Sequence, residues 1–238
     1  VNTQQTPEPP ALRQIRISDQ VVDHITQYIA EHRLRPGDKL PSEIELSRRF
    51  GVSRPTIREA TNTLAGRGLI AIASGKMPTV LSLSKDPFSN LVRHGLVTQQ
   101  VTMIQVLEVR RSLESQAVAL AAEYRTDDDV ERLTAITDQM PAAVGNVPAF
   151  ACLDAAFHET LARATQNALL SAILAGMSGI ALESARTGLV RARNPQEWEF
   201  ILRIHQRIAA AVIDGKPAEA RRHMMAHFAS ALRRLRRA

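Results

Sequence analysis

The sequence predicts a mainly α-helical protein in two parts: a small N-terminal unit of three helices and a β-hairpin, then a bundle made only of helices. Two observations carry this. Between Ile15 and Leu83, short helical runs alternate with Gly and Pro and give way to two β-leaning runs. Beyond Gln100 the β signal disappears, and apolar residues recur at helical spacing. The 238 residues are 45% hydrophobic and 4% aromatic, which supplies the apolar mass for one large core or two modest ones. A single cysteine, Cys152, excludes an intramolecular disulfide framework and fits a reducing compartment. The longest uncharged stretch, 164–182, contains Thr165, Gln166 and Asn167 and is too polar for a membrane span. No basic-then-apolar leader opens the chain, so a cytoplasmic location without a membrane partner is expected.

Element by element, residues 1–12 are polar and proline-rich and are expected to form a disordered tail. Ser18 is expected to cap a helix whose apolar face carries Val21, Val22, Ile25 and Ile29 and which ends before Pro36 and Gly37. Ser42 and Glu45 form an S-x-x-E capping box that opens a second helix, broken at Gly51. Ser53 caps a third, and Gly68 closes it where a left-handed residue is favoured. The β-leaning runs flank Ser74, Gly75 and Lys76 as a hairpin, which completes a domain at 13–83. Residues 84–100 read as a linker with room for one short helix. In the domain at 101–238, helices are expected at 101–124, 126–140, 147–165, 168–188, 195–214 and 217–236. Asn194 and Glu197 form a capping box with Pro195 at the first helical position. The tight link 214–217 makes the last two helices antiparallel.

Helix, turn, helix and hairpin in this order form the winged helix-turn-helix pattern, in which the helix opened by Ser53 enters the DNA major groove by its N-terminal end. That end carries Arg54, Thr56 and Arg58. Across 44–67, Arg48, Arg49, Arg54, Arg58 and Arg67 outnumber Glu45 and Glu59. With 30 basic against 24 acidic residues overall, net +6, the balance favours a polyanionic partner. The run LRPGDKLPSEIELSRRFGVSRPTIREATNTLAGRGLI resembles the DNA-binding domain of the GntR superfamily of bacterial transcription factors. The resemblance implies that Arg54, Thr56 and Arg58 contact operator bases or phosphates, with Ser53 on the backbone. It also implies that Gly75 and Lys76 reach the minor groove. Many members carry arginine where this chain has Ile44, so a shifted operator preference is expected.

In the helical half, Asp154 and His158 lie four apart on a face shared with Phe150, Phe157 and Leu161. His205 lies among Ile201, Leu202, Ile208 and Val212, and His227 follows Met224. Three inward histidines and one aspartate can converge on a divalent transition metal, zinc or nickel, with manganese as a third candidate. Each histidine has the competing reading of a hydrogen-bonded core residue. The segments MIQVLEVRRSLESQAVALAAE and LDAAFHETLARATQN, with the pair His205 and His227, resemble the FCD-type ligand-binding domain of the FadR branch, in its metal-containing form. The resemblance implies Asp154, His158, His205 and His227 as ligands, with His223 as competitor for the last. It places Arg110 in the cavity against a carboxylate effector, and leaves Arg111 in solvent. Asn167 matches a common asparagine of the effector site, or simply ends a helix. Cys152 reads as a small core residue. Trp198 borders the cavity or packs, and the terminal LRRLRR is a solvated end.

The expectation is a homodimeric transcription regulator without enzymatic activity. It would be a repressor on a short palindromic double-stranded operator, released by a small organic acid at the metal site. The alternatives are a metal-dependent enzyme tethered to DNA, and a sensor for which the ion itself is the signal.

Overall fold

The structure, a computed structural model, describes residues 16–192 and 194–236, apart from the side chains of 181 and 184; the expected tail at 1–12 lies outside the described residues. The described chain forms two compact units that divide between Ser82 and Leu83.

The first unit contains α1 (Ile17–Glu31), α2 (Glu43–Phe50), α3 (Arg54–Gly66), β1 (Ile70–Ala71) and β2 (Thr79–Val80). The strands are antiparallel, with Ile70 opposite Val80, and Lys39 adds an isolated bridge to Thr79. Val21, Val22 and Ile25 of α1 pack with Leu40, Leu46, Ile57, Leu64 and Ile70 in one core. The capping box on α2 is complete: Ser42 Oγ accepts from the Glu45 N–H, and the Glu45 carboxylate accepts from the Ser42 N–H. Gly51 ends α2 at φ 67°, a left-handed conformation that costs glycine little. Ser18 is not a cap. Arg16 stands at that position without a side-chain bond, and Ser18 lies inside α1, where its hydroxyl donates to Glu59 of α3 at 3.1 Å. One turn before Val21 and Val22, it faces the packed helix instead of its own first turn.

The second unit contains α4 (Asp86–Val97), α5 (Met103–Tyr124), α6 (Asp127–Gln139), a 3₁₀ turn (Met140–Ala143), α7 (Val147–Ala164), α8 (Ala168–Gly176), α9 (Ser178–Val190), α10 (Pro195–Ile213) and α11 (Pro217–Arg236). α5 packs against α7, α10 and α11, and α7 against α6 and α9. Phe150, Phe157, Phe228, Val118, Met140 and Ile208 lie at the centre of the core. The short helix for which 84–100 left room is α4, three turns long and packed on α8. One feature departs from the sequence reading. The single helix expected at 168–188 is two, bent by 43° at Met177. Gly176 explains the junction. A Cβ there would lie 2.5 Å from Phe88 Cβ and 2.9 Å from the Lys85 carbonyl oxygen, so α8 ends where α4 crosses it at contact distance. Among the described residues no single helix is long and apolar enough to cross a membrane.

This contact yields a paired expectation. Gly176→Ala should lower stability by about 1–3 kcal/mol, because its methyl meets backbone that cannot yield. Gly179→Ala, with nothing within 4 Å of its added Cβ, should be neutral or gain about 0.5–1 kcal/mol. Urea denaturation of both variants checks the pair, and an unaffected Gly176→Ala would contradict the close approach.

Candidate metal centre and nucleic-acid interface

In the first unit the start of α3 is exposed. Ser53 Oγ accepts from the Thr56 N–H at 3.4 Å and lies 2.8 Å from Thr56 Oγ1, so both hydroxyls hold the first turn. Arg54 projects into solvent. Arg58 pairs with Glu43 of α2 at 3.0 Å, which orients its guanidinium across the α2–α3 seam. On α2, Arg48 is exposed, and Arg49 stacks over the Tyr28 ring at 4.7 Å. Ile44 is 59% exposed. At the hairpin tip Gly75 has φ 72°, and Lys76 beside it is exposed. The structure therefore offers Arg48, Arg54 and Lys76 to solvent, whereas Arg49 and Arg58 already hold partners within the unit.

The second unit brings Asp154 and His158 of α7, His205 of α10 and His227 of α11 together. Each offers one ligand atom, and these atoms all lie within 4.8 Å of one another. All four residues are buried, with Phe150, Phe157 and Phe228 packed around the rings. The hydrogen-bond bookkeeping of this cluster is unusual. His205 Nδ1 lies 2.7 Å from the Ile201 carbonyl oxygen, which can only accept, so Nδ1 carries the proton. In the neutral ring Nε2 is then a lone pair, yet it faces Asp154 Oδ1 at 2.9 Å. Two acceptors face each other there, and a proton or a cation between them must resolve the contact. His158 is comparable. Its Nδ1 is in contact with a Glu114 carboxylate oxygen and its Nε2 lies 3.8 Å from Asp154 Oδ1, and neither ring nitrogen has a hydrogen bond of ordinary geometry among the described residues. Converging buried lone pairs of imidazole nitrogen and carboxylate oxygen fit a divalent transition metal.

The electrostatics favour ligation at Asp154 and His227 and oppose it at His158. Burial alone would raise the Asp154 pKa, but the charge of His158 and the hydrogen bond from His205 outweigh it and hold the carboxyl below its ordinary range. Burial, then the charges of His205 and His158, push His227 well below an ordinary histidine. Burial also disfavours a charged His158, yet the carboxylates of Glu114 and Asp154 raise its pKa overall. These shifts keep the aspartate ionised and His227 neutral, the forms in which both can ligate.

Beside the cluster lies a chamber of about 30 Å³ whose walls include Leu107, Arg110, Leu189, Phe228 and Arg234. A wider cleft of about 600 Å³ reaches Arg110 and His158 from the other side, past Glu114 and between α6, α7 and α8. Arg110 is buried, and its Nε and Nη2 donate to Glu114 Oε1 at 2.8 and 2.7 Å. Arg111 is exposed. Asn167 is exposed and caps α8, its Oδ1 accepting from the Leu170 N–H at 3.0 Å. His223 is half-buried and stands apart from the cluster, and Trp198 packs edge-on against Phe150. Cys152 is exposed rather than core, because α7 buries the face of Phe150, Asp154 and Phe157 and turns residue 152 outward.

Sequence reasoning missed Glu114 and Arg234. Glu114 stands four residues after Arg110, one helical turn, so the pair was legible in spacing. Its contact with His158, across two helices, was not. Arg234 stands seven residues after His227, two turns along the same face of α11, and is buried although it belongs to the LRRLRR run read as solvated.

The pKa directions give a prediction. In metal-free protein, lowering the pH from about 8 should protonate His158 before His227 and leave His227 neutral through 6.5, its ordinary midpoint. Histidine-resolved NMR titration checks the order, and a His227 midpoint at or above 6.5 would contradict its surroundings as described.

Comparison with known proteins accounts for both halves. Residues 17–80 match the model of bacterial regulatory proteins of the gntR family, and residues 105–230 match the FCD domain. The HTH-type transcriptional regulator LutR of Bacillus subtilis is 32% identical over 208 residues, covering 84% of this chain and 92% of the relative. The Glc operon transcriptional activator of Escherichia coli K12 is 31% identical, over 89% of this chain and 85% of its own length. The HTH-type transcriptional repressor NanR of Enterobacter sp. 638 is 30% identical, over 90% and 84%. Among solved structures, a GntR protein of Streptococcus agalactiae is 26% identical, with a TM-score of 0.71 over 91% of this chain and 99% of that one. A winged helix-turn-helix unit followed by a helical FCD domain, in the same order and over nearly the whole length of these regulators, makes this chain a member of the gntR family of bacterial regulatory proteins, a DNA-binding regulator of transcription.

Proposed function

We propose that the chain is a homodimeric repressor whose affinity for a short palindromic operator is set by a small organic acid bound beside a divalent metal in the FCD domain. The observation that carries the metal half is the convergence of four buried ligand atoms within 4.8 Å. Asp154, His158, His205 and His227 would hold the ion. When bound, it supplies a Lewis-acidic positive centre in a bundle that otherwise excludes charge. The exposed start of α3 supports the DNA half, with Arg54 the residue best presented for a bidentate guanine contact and Arg48 and Lys76 suited to phosphates. Each protomer would present one α3 to one half-site. The repressor sign follows the NanR relative, with the Glc operon activator as the counterexample.

For the effector, Arg110 is the guanidinium that borders both the chamber and the cleft. Glu114 occupies its Nε and Nη2, which leaves the Nη1 edge for a carboxylate. A chamber of about 30 Å³ holds a water or two, so an acid of several carbons must displace its walls. That displacement is the differential interaction by which an effector shifts a conformational equilibrium. The same small volume favours a second reading, in which the ion alone is the signal. Operator binding titrated with a chelator, with and without added hydroxy acids, separates the two.

Three sets of substitutions test the assignment. Arg54→Ala should lose about 1–3 kcal/mol of specific operator binding at matched salt without loss of stability; unchanged affinity would remove α3 from the groove. His205→Ala and His227→Ala should purify with far less transition metal than wild type, and His223→Ala with as much. Full occupancy in the His227 variant with loss in the His223 variant would transfer the ligand role. Arg110→Lys keeps a positive charge beside Glu114 but loses the planar fork, and should abolish the response to acid, whereas Arg111→Ala responds normally. Operator release against acid concentration decides this, and a wild-type curve for Arg110→Lys would take the residue out of the effector site.

A further inference from the structure

We propose that Glu114 is the positioning residue of the metal centre, fixing the tautomer of His158 so that Nε2 presents a lone pair to Asp154, His205 and His227. Glu114 lies on α5, contributes no atom to the cluster and is 4% exposed. One of its oxygens accepts from Arg110 and the other meets His158 Nδ1. Two lone pairs at contact repel, so a proton or a cation must stand between a carboxylate oxygen and a ring nitrogen; at Nδ1, which is turned away from the four converging ligand atoms, we read it as a proton on the nitrogen. The neutral ring is therefore Nδ1–H, and its free electron pair sits on the nitrogen facing the cluster. Two of the three histidines have their outer nitrogen fixed in this way, by different means. For His205 the acceptor is the Ile201 carbonyl of its own helix, which no side-chain substitution removes. For His158 it is a side chain of another helix, so this tautomer depends on how α5 packs against α7. Partners of this kind both orient a ligating imidazole and raise its basicity.

Sharing one carboxylate between Arg110 and His158 adds a consequence. The group proposed to meet the effector and a group proposed to meet the metal are linked through Glu114. A carboxylate that draws Arg110 away leaves Glu114 to His158, so acid and metal binding should each strengthen the other by the same factor.

This inference rests on the reading of the cluster as a metal site, and its test separates the two. In wild-type metal-free protein at high pH, where the ring is neutral, nitrogen-15 NMR should show His158 protonated at Nδ1. In Glu114→Gln the tautomers should mix. Competition titration with a chromophoric chelator should give Glu114→Gln a zinc Kd about 10- to 100-fold weaker than wild type, with far-UV circular dichroism unchanged. Should wild type bind no zinc while His158 is still Nδ1–H, the metal reading falls and only the hold of Glu114 on the His158 tautomer stands. A neutral His158 protonated at Nε2 in wild type would overturn the proposal. So would a folded Glu114→Gln protein with wild-type zinc affinity. If the glutamine variant fails to fold, the wild-type spectrum alone still decides.

Discussion

The bundle is organised around a contact that an ionised carboxylate and a neutral imidazole cannot sustain without a proton or a cation between them. His205 Nε2 and Asp154 Oδ1 face each other at 2.9 Å while the other ring nitrogen is committed to a carbonyl. In water such a contact would relax at little cost. Here both groups are buried, and leaving them mismatched in an apolar interior would cost several kcal/mol. The fold accepts the arrangement because α7, α10 and α11 each contribute to one apolar core, in which Phe150, Phe157 and Phe228 pack around the buried polar atoms. A cation at the centre would turn the repulsive set into an attractive one.

Charge around the cluster is layered. Asp154 faces inward, Glu114 backs His158, and Arg110 backs Glu114 while its flat face lies over the Phe228 ring, its central carbon 5.3 Å from the ring centre. Arg110 lets the buried Glu114 carboxylate persist in an apolar bundle, because the two charges meet at hydrogen-bond distance. Arg110 is thus part of the interior electrostatics of the domain as well as a candidate contact for an acid. Removing its charge outright would leave Glu114 undercompensated, which is why a lysine is the informative replacement.

Local signals were legible in the sequence and long-range ones were not. Ser42 with Glu45, Ser53, Gly51 and Gly75 act within four residues of themselves, and the structure finds each where the chain chemistry places it. The four cluster residues were legible because each sits on an apolar helical face, and helix periodicity alone turns those faces inward. What failed depended on distant partners. Ser18 serves α3 through Glu59, 41 residues away. The break after Gly176 depends on α4, which a reading of 84–100 as a linker with room for one short helix could not place against α8. Glu114 gains its meaning from His158 on another helix. Cys152 and Arg234 were misplaced for a related reason, since an uncharged residue was taken as inward and a charged one as outward before the packing faces were known.

The central claim is that Asp154, His158, His205 and His227 form the first coordination shell of a divalent ion. X-ray absorption spectroscopy of the zinc-loaded protein tests it most directly, because it reads ligand type and distance without an operator or an effector. The account predicts a shell of nitrogen and oxygen only, at about 2.0–2.1 Å, with the multiple scattering of three imidazoles. A shell containing sulfur, which would draw in the exposed Cys152, or one with fewer than two imidazoles would contradict it.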